Sequence, residues 1–574
     1  MASDFRFLCS QQQPPRHMDN DQRDTYLTDS ENPPMKKPSP AQPLLFALTL
    51  IAGMFIGTNL GDKNLLQVKP AVEQNANKLV SLIDFIEDNY VDSVDKQQLI
   101  EDAIASVLKN LDPHSYYMGS EEVALEKERM KGEFSGVGIE FIILRDTLMV
   151  IKTVKGGPSE TAGLQSGDRI VMVDGNAISG KELNSEKAQK LLKGKKGSEV
   201  KVAIVRPGIQ GAKEYTIERG NIPIESVTAS FMVNDSVGYV KLDRFAEKTY
   251  DEFIAATEKL EDKGCSSLII DLRGNGGGLL NQAAEIVEEF LPEGKTIVKT
   301  RGMHTGEDEI RSSKQGKYRQ LNVVIMIDQN SASASEIVAG ALQDWDRAVT
   351  VGRRSFGKGL VQHEMELADN SALRLTVARY YTPTGRCIQK PYGDSINYEN
   401  DFHKRLETGE LTSADSVHFP DSLLFRTPAG RLVYGGGGIM PDVFVPMDSV
   451  YFSGLLSDIA YSGIIRNYCF NYLDDHRKEI ARYKNADDFI AKFVVNESMV
   501  SDLLATAEKE KIKINRGVVK KITPQLKMRI KGQMARNLFD DSAMLRVSLE
   551  SDPDFKKAMV VAGDYKQFAA VRKQ

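Results

Sequence analysis

Between residues 221 and 450 the chain alternates between stretches with the pattern of buried strands and stretches with the pattern of helices. Residues 267–272 and 322–327 are short, mostly apolar runs, which is typical of buried strands. Residues 279–290 and 335–344 follow these runs and have apolar residues at helical spacing. A helix after each strand predicts an α/β core built in layers.

The rest of the chain has a different character on either side of this core. Residues 63–133 have a helical pattern, which a break at 112–115 interrupts. Residues 134–220 contain short β-rich runs between Gly-Asp and Asp-Gly turns. Residues 391–427 are polar and irregular and are predicted to lie on the surface, and residues 451–574 are mostly helical. The chain is therefore predicted to be a multidomain protein of mixed α/β and α+β class.

Composition excludes several classes of function. Apolar residues make up 41% of the chain and charged residues 27%, which is ordinary for a globular protein with large cores. A net charge of -6 argues against nucleic acid as the main partner. The four cysteines form no CxxC pair, and the seven histidines form no HExxH motif. We therefore expect neither a metal nor a cofactor, while a single disulfide stays open.

An uncharged apolar segment at residues 43–60 predicts a membrane anchor. Its eighteen residues would span roughly 27 Å as a helix, enough for a thin bilayer core. Lys36 and Lys37 precede it, and positive charge on that side predicts a cytoplasmic leader at 1–42 and an extracytoplasmic remainder. A retained anchor is favoured over a cleaved signal peptide because no small-x-small cleavage site is clear. Met35 is an alternative start of the chain.

Residues 134–220 resemble a PDZ domain. The segment 156–180 contains a turn of small residues, a short helix and tight Gly-Asp and Asp-Gly turns, and residues 185–192 are predicted to be a second helix. A Gly-Val-Gly-Ile stretch stands where PDZ domains carry the loop whose backbone N–H groups receive a peptide carboxylate. The resemblance implies a groove that binds the C-terminus of a protein as an added strand. Its predicted peptide-binding residues are Gly136, Val137, Gly138 and Ile139.

Three short segments in the α/β region carry candidate chemistry. The glycine-rich stretch 271–278 lies between a strand and a helix, where backbone N–H groups can stabilise an anion. It matches neither GxxxxGK[ST] nor GxGxxG, so nucleotide binding is the weaker interpretation. Residues 331–336 place serines at a second strand-to-helix turn, where Ser335 can also serve as a helix cap. Lys358 stands between two glycines, which is unusual for a lysine on the surface. The alternative is that Lys358 is an ordinary surface charge, as most lysines are.

The spacing of these segments resembles that of the carboxyl-terminal processing proteases, also called tail-specific proteases. The segments SASASEIVAGALQD and GRRSFGKGLVQ place Ser333 and Lys358 25 residues apart. Further segments occur in the same order: LDPHSYYM, the PDZ segment, DLRGNGGGLL, YYTPTGRCIQ and GGGIMPD. The resemblance covers roughly residues 75–450. It implies a crotonase-like, tail-protease-like α/β core at 221–450 and a serine endopeptidase that cuts proteins near their C-termini.

The resemblance also implies a role for each matched residue. Ser333 matches the nucleophile, Lys358 the general base, Gln362 a glutamine that orients the lysine, and Asp344 an aspartate that some members add to the dyad. Gln362 is favoured over Asp344 because a neutral amide holds a neutral lysine without raising its pKa. The implied oxyanion donors are backbone N–H groups of Ala334 and of Gly277 or Gly278.

Two other interpretations compete with an active Ser–Lys protease. The first is a catalytically inactive PDZ scaffold in the cell envelope, and the second is an acyl-CoA enzyme of the crotonase type. The retained pair of Ser333 and Lys358 argues against the first, and the PDZ module and the anchor argue against the second. We expect protein substrates with free apolar C-termini and a location at the inner membrane, with the catalytic region in the periplasm. A homodimer and an adaptor protein are left open as partners.

Overall fold

The computed structural model describes most of the chain after the predicted anchor. The described residues are 70–144, 147–178, 180, 183–206, 208–393, 398, 400–448 and 453–570. The predicted leader at 1–42 and the predicted anchor at 43–60 lie outside them. Within the described part of the chain, no helix combines the length and the apolar character needed to cross a membrane.

The chain divides into two compact units, one ending at Lys96 and one beginning at Gln97. In the first unit the described helix is α1 (Pro70–Asn89). The ammonium group of Lys96 lies 2.8 Å from Asp84 and 2.7 Å from Glu87. These ion pairs join residues on one exposed face of α1 to the residue that ends the unit.

Next along the chain come two helices and two short strands. They are α2 (Lys96–Lys109), β1 (Tyr116–Met118), α3 (Ser120–Lys131) and β2 (Glu133–Gly136). The predicted break at 112–115 lies between α2 and β1. There the Asp112 carboxylate accepts hydrogen bonds from the N–H groups of His114 at 2.8 Å and Ser115 at 2.9 Å. This Asx turn gives the backbone donors an acceptor outside the helix, and the helix therefore ends before it.

Residues 139–223 form the predicted small β module. Its elements are β3 (Ile139–Leu144), β4 (Thr147–Thr153), α4 (Pro158–Ala162), β5 (Arg169–Val173), β6 (Asn176–Ala177), α5 (Ser185–Leu192), β7 (Glu199–Val205), β8 (Lys213–Glu218) and β9 (Gly220–Pro223). The sheet has the order β3-β4-β5-β7-β8, with β6 paired to β5, and β9 pairs with β2 instead. All described strand pairs in this sheet are antiparallel. The predicted helix at 185–192 is confirmed.

The larger core contains the predicted alternation of strands and helices. Its elements are β10 (Val227–Met232), β11 (Val237–Leu242), α6 (Thr249–Glu261), β12 (Ser267–Asp271), α7 (Leu280–Glu288), β13 (Thr296–Gly302), β14 (Gly306–Arg311), β15 (Asn322–Ile327), α8 (Ala334–Asp344), β16 (Ala348–Gly352), β17 (Leu360–Glu366), β18 (Ala372–Tyr381), α9 (Asp401–Glu407), β19 (Leu424–Arg426), β20 (Leu432–Tyr434) and β21 (Val443–Phe444). The strands and helices predicted at 267–272, 279–290, 322–327 and 335–344 are confirmed.

The central sheet has the order β10-β11-β12-β15-β16-β21. It is parallel from β11 onward, and β10 is antiparallel to β11. Every residue of β12 is buried, because helices cover both faces of this sheet. A second, antiparallel sheet contains β1, β18, β13 and β14, with β17 paired to β18. The described cysteines, Cys265, Cys387 and Cys469, are free thiols.

The C-terminal region is helical, as predicted. Its helices are α10 (Gly454–Tyr461), α11 (Ile464–Asp475), α12 (Arg477–Ile480), α13 (Ala486–Lys492), α14 (Glu497–Lys509), α15 (Arg516–Leu538), α16 (Asp541–Leu549), α17 (Pro553–Gly563) and α18 (Tyr565–Ala570). Helices α10 to α16 surround a hydrophobic core of their own. Helix α17 instead packs on the central sheet, where its Phe555 and Val561 join Tyr239, Ile269 and Val324 in one buried cluster.

A buried ion cluster fixes α17 to the sheet. Asp554 accepts two hydrogen bonds from the guanidinium of Arg353, both at 2.9 Å, and both side chains are buried. Arg273 lies 2.6 Å from Asp552 and 3.2 Å from Asp554. Arg273 follows β12 and Arg353 follows β16, so the cluster joins α17 to the ends of two central strands.

The described residues of 391–427 lie mostly at the surface, as predicted, but the segment is also anchored to the core. It includes α9, whose Arg405 is only 2% exposed. The Arg405 guanidinium donates to the carbonyl oxygens of Arg354 at 3.1 Å, Ser355 at 2.9 Å and Phe356 at 3.1 Å. Polar composition concealed this packing, because a buried arginine that satisfies backbone carbonyls has the same sequence signature as a solvated one.

Candidate active site

Ser333 begins helix α8 at the turn that follows β15. Its backbone has φ 56° and ψ -116°, which is unusual for a residue with a side chain. Such a conformation costs about 1–3 kcal/mol and occurs where the surrounding structure enforces it. Ser333, and not Ser335, is the residue that caps α8, because Ser335 Oγ donates to the Asn275 carbonyl at 2.9 Å.

The glycine-rich loop lies directly against this turn. A Cβ atom built on Gly277 would lie 2.7 Å from Ser333 Cβ and 3.0 Å from Ala334 N, so only glycine allows this approach. A Cβ on Gly278 would lie 2.1 Å from the Phe245 carbonyl oxygen. The predicted glycine-rich segment therefore brings its backbone into contact with the serine turn.

Lys358 is held by a chain of neutral groups. Its Nζ donates a hydrogen bond to Gln362 Oε1 at 2.9 Å. The Gln362 amide nitrogen in turn donates to the carbonyl oxygen of His114. His114 belongs to the Asp-Pro-His-Ser turn, so a segment about 250 positions away in the sequence fixes the orientation of the lysine.

Burial lowers the pKa of the Lys358 amino group, and the positive charge of Arg374 lowers it further. Glu336 and Asp112 act in the opposite direction. A lysine with a lowered pKa is neutral in a larger fraction of molecules, and a neutral amine can accept a proton. The environment of Lys358 is therefore suited to a general base.

Glu336 connects the serine turn to the lysine loop. Its side chain is fully buried and accepts hydrogen bonds from the N–H groups of Ser333 at 2.9 Å, Gly357 at 2.8 Å and Lys358 at 2.8 Å. It also accepts from Ser355 Oγ at 2.5 Å. Burial raises the pKa of this carboxyl group, although the four donors oppose that effect. One carboxylate thus fixes both loops at once.

Sequence reasoning missed Glu336, although the signal was present. Ser333 and Glu336 have the S-x-x-E spacing of a capping box, in which the glutamate accepts from the backbone of the first residue. Tyr380 was also missed. Its hydroxyl lies 3.0 Å from the Ser333 carbonyl oxygen and 2.5 Å from that of Lys358, so it bridges the same two loops.

A cavity of about 620 Å³ contains most of the predicted catalytic residues in its lining. The predicted site residues in this lining are Ser333, Ala334, Lys358, Gln362, Gly277 and Gly278. The Gly277 N–H donates to Asn275 Oδ1 at 2.8 Å, whereas no described group accepts from the N–H of Gly278 or Ala334. These two N–H groups are therefore available to an oxyanion.

Asp344 and His363 lie outside this cavity. Asp344 is the last residue of α8, ten residues after Ala334, or roughly 15 Å along the helix. Its carboxylate accepts hydrogen bonds from the N–H and hydroxyl of Thr384 and pairs with Arg386 at 2.7 Å. His363 is exposed and does not line the cavity. The structure does not bring either side chain to Ser333.

A second cavity, of about 320 Å³, lies between the small β module, helix α3 and the beginning of the larger core. All four predicted peptide-binding residues, Gly136, Val137, Gly138 and Ile139, line it. Gln189 and Leu192 of α5 form another wall, as predicted for a groove between a strand and a helix. Gly138 has a φ of +72°, so the loop requires glycine there.

Models of four known families match the chain. The model described as peptidase family S41 matches residues 236–396, and the PDZ domain model matches residues 135–218. The model for the activating protease CtpB N-terminal domain matches residues 52–122, and a family of unknown function matches residues 455–540. With the fold described above, these matches define the protein as a serine-type peptidase with a PDZ domain.

Individual relatives show which family of peptidases the chain belongs to. A carboxy-terminal-processing protease of Bartonella bacilliformis is 37% identical over 348 residues, which cover 59% of this chain and 79% of the relative. Carboxy-terminal processing protease CtpB of Bacillus subtilis is 34% identical over 351 residues, covering 59% and 72%. The solved photosystem II D1 C-terminal processing protease is 29% identical, with a TM-score of 0.31, and the match covers 54% of this chain and 84% of that one. The two sequence relatives show that the chain belongs to the carboxy-terminal processing protease family.

Proposed function

We propose that this protease cuts proteins near their C-termini with Ser333 as nucleophile and Lys358 as general base. The single observation that carries the proposal is the shared cavity. It combines a serine in a strained turn, a desolvated lysine oriented by a neutral amide, and two free backbone N–H groups. The inactive-scaffold alternative is not favoured, because each part that acyl transfer needs is present in one place.

The proposed reaction needs no group from outside the chain except water. Neutral Lys358 takes the proton of Ser333 Oγ as that oxygen attacks the scissile carbonyl. The N–H groups of Ala334 and Gly278 stabilise the negative oxygen of the tetrahedral intermediate. The intermediate collapses to an acyl-enzyme when Lys358 gives its proton to the leaving amine. Water then attacks the ester, with Lys358 again as base, and Ser333 is regenerated.

The test compares the full chain with two variants, Ser333→Ala and Lys358→Ala, on a protein substrate. We expect each substitution to abolish cleavage, and the double variant to be no worse than either, because the residues act as a unit. Circular dichroism checks that the fold is retained. Substantial activity of Lys358→Ala would refute the Ser–Lys mechanism and direct attention to His363.

We further propose that the groove lined by Gly136–Ile139 selects the substrate by its free, apolar C-terminus. The loop offers backbone donors to the carboxylate, and Leu192 and Phe141 provide apolar surface for the last side chain. One substrate with four tails tests this: an apolar end, an aspartate end and the amidated form of each. Fastest cleavage of the free apolar tail is expected, and equal cleavage of all four tails would refute selection by the terminus.

The location is a proposal that rests on the sequence alone. The apolar segment at 43–60 and the lysines before it predict a single anchor in the inner membrane, with the catalytic region on the periplasmic side. A reporter fused after residue 70 should be active outside the cytoplasm. A fusion that is active only in the cytoplasm would refute this orientation.

A further inference from the structure

Two arginines separate the groove of the PDZ domain from the catalytic cavity. Arg129 and Arg244 are the residues that line both cavities. A substrate whose C-terminus lies in the groove while its scissile bond lies at Ser333 must therefore pass them. The wall formed by Arg129 and Arg244 faces the stretch of substrate between its C-terminus and the cut.

Arg244 is anchored beside the loop of the oxyanion donors. The next residue, Phe245, donates its N–H to the Gly277 carbonyl at 3.0 Å and accepts from the Leu279 N–H at 2.8 Å. These bonds place the backbone of Arg244 one residue from the glycine-rich loop. Arg244 therefore begins next to the loop whose Gly278 N–H is assigned to the oxyanion.

Most charges around this wall are paired with a charge of opposite sign. The carboxylates that line the two cavities pair as follows: Glu126 with Arg129 at 3.0 Å, Glu128 with Lys193 at 2.6 Å, Asp243 with Lys241 at 3.5 Å and Glu364 with Arg374 at 2.9 Å. Lys358 is held by the neutral amide of Gln362. Among the described residues of these linings, Arg244 is the remaining cation, and no carboxylate pairs with it.

The guanidinium of Arg244 also lacks a hydrogen-bond acceptor. Its Nε is shut off from solvent and donates to no described group. A buried donor without an acceptor costs about 1–3 kcal/mol, and such groups are rare in folded proteins. A ligand that brings an acceptor to this position would recover that cost. A guanidinium binds planar carboxylates best, through two parallel hydrogen bonds.

We propose that Arg244 binds a carboxylate of the substrate tail and so determines specificity on the leaving side of the scissile bond. This inference rests on the proposed function, in which the tail runs from the groove to Ser333. Two carboxylates can reach the wall: an acidic side chain within the tail, or the terminal carboxylate itself. Both have the same chemistry, and they are distinguished by amidating the terminus.

The experiment measures binding on the full chain carrying Ser333→Ala, so that its result does not depend on catalysis. Fluorescent tail peptides contain one Glu, moved one position at a time along the tail, or Gln or Lys at the same position, each with a free or an amidated end. We expect the chain that retains Arg244 to prefer the best-placed Glu over Gln by about tenfold. In Arg244→Gln this preference should vanish. In Arg244→Glu a Lys at that position should be preferred.

Lys248→Gln is the matched control. It also removes one positive charge, but Lys248 is exposed, pairs with Glu133 at 2.9 Å and lines neither cavity. This variant should keep the preference for Glu. If Arg244→Gln weakens binding only of peptides with a free end, and leaves the preference for Glu over Gln unchanged, the bound carboxylate is the terminal one.

Two results would overturn the proposal. One is that Arg244→Gln changes neither the preference for Glu over Gln nor the preference for a free over an amidated end. The other is an equal loss of affinity for every peptide, which would show a structural role. Because the guanidinium bonds to no described group and its buried Nε is a cost to the fold, we expect Arg244→Gln not to lower the melting temperature. If the active enzyme cleaves none of the tails, the Ser–Lys proposal is refuted. The binding ratios still test the role of Arg244, because they are measured on the inactive Ser333→Ala chain.

Discussion

The buried carboxylate of Glu336 gives the sharpest test of how the two catalytic loops are held. Its Oε1 accepts from Ser355 Oγ and from the Gly357 N–H. Its Oε2 accepts from the N–H groups of Ser333 and Lys358. Glu336→Gln keeps the shape but replaces one oxygen by an NH₂ group. In either orientation the NH₂ faces at least one backbone N–H group, because the Ser355 hydroxyl is the only one of the four donors that can turn to accept.

The expected loss follows from those contacts. At least one hydrogen bond to a charged acceptor disappears, at about 1.5–3 kcal/mol, and the hydrogen bonds that remain lose the charge of their acceptor. Burial raises the pKa of the Glu336 carboxyl, so the neutral amide recovers part of the desolvation cost. From the lost hydrogen bond we expect a net loss of about 2–3 kcal/mol. That matches or exceeds the about 1–3 kcal/mol stored in the backbone of Ser333. We therefore expect the turn to relax and kcat to fall at least about 100-fold.

The chain provides its own probe for the measurement. Trp345, its single tryptophan, directly follows α8, and its indole N–H donates to the Thr296 carbonyl at 2.7 Å. Its fluorescence in urea reports unfolding of the protease core, and cleavage of a substrate gives kcat. The matched control is Glu289→Gln, a buried carboxylate that pairs with Lys314 at 2.6 Å and lies outside the cavity. It should lower stability without lowering kcat. A Glu336→Gln chain with wild-type stability and kcat would refute the reasoning.

Three further predictions concern charge. Arg374→Gln removes a cation that lowers the pKa of Lys358, so the acid limb of kcat/KM should move to higher pH, and a limb that stays or moves lower would contradict this. Burial lowers the pKa of His114 from 6.5 to about 4, so the unfolded chain binds that proton first, and stability should be lost as the pH falls from about 6.5 to about 4. His114→Gln should flatten that slope in urea titrations at several pH values. Asp554→Asn leaves Arg353 buried without its partner and should cost about 3–5 kcal/mol in the same assay, whereas Asp474→Asn in an exposed pair should cost at most about 1 kcal/mol.

Local patterns were sufficient to predict the elements that carry the catalytic loops. The apolar run of β15 and the helical spacing of α8 placed Ser333 at a strand-to-helix turn, because a buried strand and a helix have different periods. The glycines around Lys358 and in the oxyanion loop were informative for a similar reason. Glycine is needed where two backbones touch, as they do at Gly277, and a run of glycines can be seen directly in the sequence.

Contacts between distant segments could not be predicted in the same way. The carbonyl of His114 orients Gln362, and Arg405 holds the loop before Lys358, yet neither residue type signals its partner. Asp344 has a sequence context that resembles the family motif, but one helix length separates it from Ser333. Position along an element follows from local periodicity, whereas the packing of elements depends on the whole chain.

The packing of α17 on the central sheet has a consequence for when the core can finish folding during synthesis. Strand β11 leaves the ribosome roughly 300 residues before α17, which is about 15–60 s of synthesis at about 5–20 residues per second. During that interval the face formed by Tyr239, Ile269 and Val324 has no partner, and Arg353 has no carboxylate. The strands that position both catalytic loops therefore reach their final environment only after nearly all of the chain has been made. We therefore expect a chain that has not yet reached α17 to have little peptidase activity, because one face of the sheet behind its catalytic loops is still uncovered.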